Sequence, residues 1–189
     1  MSLIPDFELG VWNAWIFMVP SLIITLLSIP LMSKKGAPSP KSIRLSKTTL
    51  LFSLFTKFIY FPSVLYSVFL PLQVGTIWFY VGLPITLIGL IGSLLVLVDW
   101  ANTPAQPVTT GLYRYSRHPM YVTEVLFLLG VSIISVSWIF SLFPLIVGVG
   151  AAYFIKMEEA FCLGHYGKVY REYMKRTPRW IGIPKSNKE

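Results

Sequence analysis

Acidic side chains are scarce in this sequence: eight Asp and Glu among 189 residues, with charged residues of both signs making up only 13%. A water-soluble domain carries about twice that charged fraction. Together with 54% hydrophobic residues and a mean hydropathy of +0.66, the shortage excludes water as the main solvent. Cysteine is nearly absent too. Cys162 stands alone, so an internal disulfide is excluded and no metal-ligand spacing can be built on cysteine; no metal is expected. Its bland reading is a small apolar side chain on a helix. The charge that is present is mostly basic, 16 Lys and Arg giving a formal net charge of +8. In so apolar a chain that excess belongs at a membrane face with anionic lipid and not on nucleic acid.

What the sequence has in quantity is apolar runs. Five of them, over 11–32, 50–72, 76–98, 120–137 and 138–155, approach the roughly 20 residues a helix needs to cross a bilayer. The first reads as an uncleaved anchor, because Asp6 and Glu8 precede it and a basic stretch follows, the reverse of a secretory signal. Pro20 and Pro30 are expected to kink it. In the second run, Lys57 sits two turns in, within reach of the headgroups. Gly82, Gly89 and Gly92 in the third let helices approach closely. The last two runs are short and separated only by Ser135, Ser137 and Trp138, which predicts a helical hairpin.

Between the third and fourth runs, 99–118 breaks the apolar pattern with Pro104, Pro107 and Gly111 and reads as a polar loop. After Ile155 the chain turns polar. Tyr166, Tyr170 and Tyr173 fall at i, i+4 and i+7, opposite Lys168, Arg171, Glu172 and Lys175, the pattern of an amphipathic helix lying against the membrane or the body. The expected fold is an all-α integral membrane protein with about five transmembrane helices, the last two a hairpin, plus a cytosolic C-terminal amphipathic helix. It forms a single membrane domain, with 1–98 as a three-helix scaffold and 99–189 carrying the loop, the hairpin and the final helix. Basic residues concentrate after runs one, three and five, while 71–75 and 135–138 carry none. The N-terminus is therefore expected outside and the C-terminus in the cytosol.

Reactive side chains gather in Gly111-Leu-Tyr-Arg-Tyr-Ser-Arg-His-Pro-Met-Tyr121, followed by Glu124. Two readings compete. One is an interfacial belt in which Arg and Tyr touch headgroups and Pro119 occupies a first helical turn, where its missing N–H costs nothing. The other is a ligand site, since free N–H groups at a helix start suit an anion and Glu124 is an ionisable group near the start of an apolar helix. Glu158 and Glu159 form a second cluster, which a hairpin would bring to the same face as the first. Adjacent helical residues point about 100° apart, so one carboxylate faces the site and the other a Lys or Arg. The stretch from Tyr166 through Arg179 adds arginine and tyrosine to the same side.

In their order and spacing these pieces resemble the isoprenylcysteine carboxyl methyltransferase and phospholipid N-methyltransferase superfamily: Arg117-His-Pro-Met-Tyr121, an apolar hairpin, Glu158-Glu159, then Tyr166-Gly-Lys-Val-Tyr-Arg-Glu-Tyr173 and Pro178-Arg179. The resemblance covers roughly the C-terminal half. It implies S-adenosylmethionine as cofactor, lined by Gly111, Tyr113, Arg117, His118, Pro119 and Tyr121, with Glu159 or Glu158 receiving its ammonium or ribose. It further implies a lipid or amphiphilic methyl acceptor approached by Arg179 and Arg171. Glu124, His118 or a tyrosine is then a base for an amine acceptor, whereas a carboxylate acceptor needs only an arginine to position it. Two other readings stay open: an NADPH-dependent reductase of the sterol-reductase type, which shares an Arg-His-Pro element, and a non-catalytic membrane scaffold or transporter. For transport the sequence shows no inverted repeat.

Overall fold

Thr76 opens the longest helix, its hydroxyl oxygen accepting a hydrogen bond from the Phe79 amide at 3.4 Å, which satisfies one of the donors a helix start leaves free. The structure, a computed structural model, describes residues 9–34, 59–103 and 107–184. In chain order its elements are α1 (Trp15–Lys34), α2 (helical over 59–67), α3 (Ile77–Asn102), a single 3-10 turn (Gly111–Arg114), α4 (Pro119–Ile134), α5 (Leu142–Tyr166) and α6 (Lys168–Arg176). No strand occurs among the described residues. The fold is all-α, as expected. Asp6, Glu8, Lys57, Pro104 and the basic stretch between the first two runs lie outside the described residues or have undescribed side chains.

Packing is tightest between α3 and α4, and small residues are the reason. A Cβ added at Gly82 would lie 2.9 Å from the Gly130 carbonyl oxygen, and one at Gly92 would lie 2.6 Å from Thr123 Cγ2. At Gly89 it would overlap the Phe127 backbone, and at Gly130 the Thr86 backbone. With the two backbones this close, Ser93 donates across the seam to Thr123 Oγ1 at 3.0 Å. The glycines thus serve the close approach that the sequence suggests.

The hairpin α4–α5 is present, and it fixes two ends of the molecule. At one end the start of α1 is pinned to the chain after α2 by Ala14 N–H to Leu70 O (2.9 Å), Leu72 N–H to Trp12 O (3.0 Å) and the Asn13 amide to Val68 O (2.7 Å). Gln73 N–H reaches the end of α4 at Ile134 O (3.1 Å). Met18, Leu70, Phe127, Leu128 and Phe140 form the apolar core there. The other end collects the last turn of α3, the 3-10 turn, the start of α4, the second half of α5 and α6. Buried positions include Ser63, Ser67, Thr86, Ser132 and Ser135, while Ile88, Leu145 and Val149 are exposed, the reverse of the arrangement water favours.

Three boundaries differ from the sequence reading. Helix α3 continues to Asn102, so Asp99 is helical and not part of the loop. Helix α5 runs past Ile155 to Tyr166; Met157 through Leu163 is rich in strong helix formers, and propensity carries the helix on after the apolar run ends. Gly167, at φ +56°, then stops it. The tyrosine face is therefore split: Tyr166 ends α5, whereas Tyr170 and Tyr173 are buried on α6. Among the described residues α3 is the one helix both long and apolar enough to cross a bilayer, with Trp15–Ser28 and Pro119–Ile134 as shorter apolar helices.

Candidate active site

The site begins with Asp99 on the last turns of α3. Its carboxylate accepts a hydrogen bond from the Leu112 amide at 2.9 Å, clamping the loop onto α3. Gly111, immediately before, has φ +57°, and a Cβ there would collide with the Asp99 carboxylate. Glycine is thus required twice, for conformation and for space. Replacing Gly111 by Ala is expected to cost about 1–2 kcal/mol from the left-handed backbone alone. The displaced Asp99 should also free the Leu112 amide, and faster hydrogen exchange at that amide is the measurement that checks it.

From this clamp the loop leads to the start of α4. Ser116 Oγ accepts from the His118 amide at 3.1 Å, and Pro119 takes the first helical turn, where it gives up no hydrogen bond. The chain after α6 covers the loop from outside. Arg117 N–H donates to Pro178 O and Gly182 N–H to Tyr115 O, both at 3.0 Å. The Tyr173 hydroxyl donates to Tyr113 O at 2.7 Å. Helix α6 therefore lies against the body, and its buried Tyr173 holds the loop.

Three cluster residues converge on Glu159, whose side chain is 5% exposed. Arg179 donates Nε to Oε1 at 3.2 Å and Nη2 to Oε2 at 2.6 Å, the two-pronged geometry that suits guanidinium and carboxylate. Arg117 Nη1 lies 3.0 Å and His118 Nε2 lies 3.3 Å from Oε1. Burial works to raise the Glu159 pKa, but the hydrogen bonds from Arg179 and the charges of Arg117, Arg179 and His118 outweigh it and hold the carboxyl below its ordinary value. Arg117 is off-line for hydrogen bonding despite its proximity: its buried Nε and Nη1 have no hydrogen-bond partner.

Glu158 is the contrasting carboxylate, its side chain 49% exposed. Its Oε2 lies 3.5 Å from His118 Nδ1 and accepts from the Tyr121 hydroxyl at 3.4 Å. His118 thus spans both glutamates, and a neutral imidazole can donate to only one of them. Burial, with the Glu158 charge next in size, pushes the Tyr113 hydroxyl above its ordinary range. Burial likewise pushes the Cys162 thiol up to about 12, so it stays protonated at neutral pH and is no nucleophile.

Of the residues singled out in the sequence, the structure brings together Arg117, His118, Tyr121, Glu158, Glu159 and Arg179, with Tyr113 beside them. Gly111 and Pro119 shape the loop and the helix start. Arg171 is exposed on α6 and joins no hydrogen bond or ion pair with the cluster. Glu124 makes none among the described residues either. Sequence reasoning missed Asp99, Ser116 and Tyr173 as organisers of the loop. The Ser116 signal was present, a serine two residues ahead of a helix-opening proline dipeptide.

Fold and site together define a class: an all-helical protein in which a hairpin brings an Arg-His-Pro helix start against paired glutamates at one polar end. Residues 85–169 match the phospholipid methyltransferase family. The chain is also similar to protein-S-isoprenylcysteine O-methyltransferase of Schizosaccharomyces pombe, 35% identical over 78 residues, covering 41% of this chain and 32% of that protein. The protein of the same name from Dictyostelium discoideum is 34% identical over 86 residues, with 41% and 32% covered. Over this segment the chain is thus similar both to phospholipid methyltransferases and to isoprenylcysteine O-methyltransferases. The matched region spans about a third of the length of each of these two relatives.

Proposed function

We propose that this protein transfers a methyl group from S-adenosylmethionine to a lipophilic or amphiphilic acceptor at the cytosolic face of a membrane. The observation that carries the reading is His118 set between a closed carboxylate, Glu159, and an open one, Glu158, within a segment matched by methyltransferases. The residues fit the cofactor. Its ammonium or ribose needs an accessible carboxylate, and Glu158 is half exposed while both oxygens of Glu159 are engaged by Arg179. We assign Glu158 to that contact and Glu159 to ordering Arg117, His118 and Arg179. We assign Gly111, Tyr113, Pro119 and Tyr121 to the cofactor's surroundings as well.

Bound S-adenosylmethionine would supply an electrophilic methyl group, so the protein's task is mainly to hold the acceptor in line with it. Arg179 is steadied by Glu159 yet remains partly exposed, which lets it orient an acceptor carboxylate; we assign Arg171 a secondary part in approaching the acceptor. For an amine acceptor, His118 at the cluster or Glu124 further along α4 is the base proposed to take the departing proton. The apolar exterior of α3 and α5 supports a membrane setting, from which a lipid acceptor would enter sideways; the five-span topology with a cytosolic C-terminus is our reading from the apolar runs and the basic-residue distribution.

Calorimetry of the detergent-purified protein tests this. Wild type should bind S-adenosylmethionine, and Glu158→Gln should weaken that affinity by about 1.5–3 kcal/mol, the size of a charged hydrogen bond and roughly 10- to 100-fold. Binding of NADPH instead would assign the site to a reductase. Binding of neither would leave the scaffold reading.

A further inference from the structure

A cavity of about 260 Å³ lies beside the glutamate cluster, sharing Arg117 with it, between the loop and the end of α6 with the chain that follows. Its polar wall is Arg117, Lys175 and Arg176, and its apolar wall is Met174, Pro178 and Ile183. Arg117 is the unusual member. Its side chain is 9% exposed, yet Nε and Nη1 lack hydrogen-bond partners, and unmet buried donors of a charged group are costly. The single nearby carboxylate, Glu159, is shared with Arg179 and His118, so Arg117 is only partly neutralised. Lys175 is offset by Glu172, 2.9 Å away, which leaves Arg117 and Arg176 as the main positive charges at the cavity.

The surroundings are amphiphilic. Ile183 is 90% exposed, and Trp180 and Ile181 beside it are also exposed. Large apolar side chains next to a basic recess suit neither a free ion nor a nucleic acid, but they suit a charged headgroup with its acyl chains alongside. We infer that this recess holds the phosphate of an anionic glycerophospholipid, with Arg117 and Arg176 on the phosphate and Ile181 and Ile183 against the lipid's apolar part. Guanidinium is the side chain best matched to phosphate oxygens. This site shares Arg117 with the glutamate cluster but does not include Glu158, and its occupancy requires no methyl transfer. Because Arg117 also lies against Glu159, the bound phosphate would steady the guanidinium on which the glutamate cluster leans.

Isothermal titration of the detergent-solubilised full chain with dihexanoyl phosphatidic acid, dihexanoyl phosphatidylcholine and inorganic phosphate separates the outcomes. Wild type should show saturable binding of phosphatidic acid and weaker binding of the other two. Arg176→Gln should weaken phosphatidic acid roughly tenfold, the loss of one charged hydrogen bond. Ile183→Ser should weaken phosphatidic acid but leave inorganic phosphate unchanged. Both variants should keep wild-type affinity for S-adenosylmethionine, which distinguishes failure here from failure of the methyltransferase reading. Absence of saturable phosphatidic acid binding, or equal affinity in Arg176→Gln, overturns the site. Inorganic phosphate binding as tightly as phosphatidic acid overturns the lipid assignment, and equal binding of phosphatidylcholine overturns the anionic selectivity.

Discussion

Glu159→Gln is expected to destabilise the protein by about 3–5 kcal/mol, the cost of removing one partner from a buried ion pair, and to abolish cofactor binding. The isosteric amide keeps the shape but leaves the well-buried Arg117 without its carboxylate and His118 with Glu158 alone. Arg179 is more exposed and should contribute less to the loss. Acid should reproduce part of the effect in wild type. The folded-state pKa of Glu159 lies below the ordinary 4.5, so its stabilisation is complete above that value. It is lost as pH falls through the depressed folded value. Thermal denaturation followed from pH 7 to pH 3 checks both statements: wild type should lose this increment at the acid end, and Glu159→Gln, already without it, should have a flatter profile there. Wild-type cofactor affinity in the variant would remove Glu159 from its assigned ordering role.

Gly89→Ala should have the next largest effect. The added methyl would meet the amide nitrogen and Cα of Phe127, and backbone atoms cannot rotate aside as a side chain can. Overpacking of this kind costs about 1–3 kcal/mol. The damage should extend to function, because α3 carries Asp99 and α4 begins at His118, so wedging the two helices apart pulls the loop away from the helix start it feeds. Gly164→Ala is the contrasting substitution. Nothing lies within 4 Å of a Cβ there, and alanine's better helix propensity should stabilise α5 by up to about 1 kcal/mol. Denaturation midpoints for the two variants should move in opposite directions.

The glutamate pair illustrates how far a sequence can be read. Helical geometry separates Glu158 and Glu159 by about 100°, and that separation is seen. Which of them faces the cations depends on how α5 is rotated against α4 and on where the chain after α6 comes to rest, and no local pattern encodes either. The Arg-His-Pro start was legible because proline's preference for a first turn is a property of the residue itself. Asp99 was misread as loop because a lone acid after an apolar run looks like the end of a helix, whereas the helix continues to Asn102 and uses that acid to grip a backbone amide 13 residues away. The backbone bonds between 115–117 and 178–182 were invisible for a similar reason: any residue can make them, so they leave no signature in side-chain identity. The Tyr166, Tyr170 and Tyr173 periodicity was real, but Gly167 divides it, and that division lets Tyr173 turn inward to the loop.

Those same backbone bonds imply an order of assembly during synthesis. Arg117 finds its carbonyl partner only when Pro178 has been added, and Tyr115 waits for Gly182. A ribosome that has already released α3, α4 and α5 therefore still holds a chain whose loop is uncovered and whose Glu159 lacks Arg179. Competence to bind a ligand at the glutamates would arrive only once that segment has emerged, in a single closing step, and not grow in with each helix.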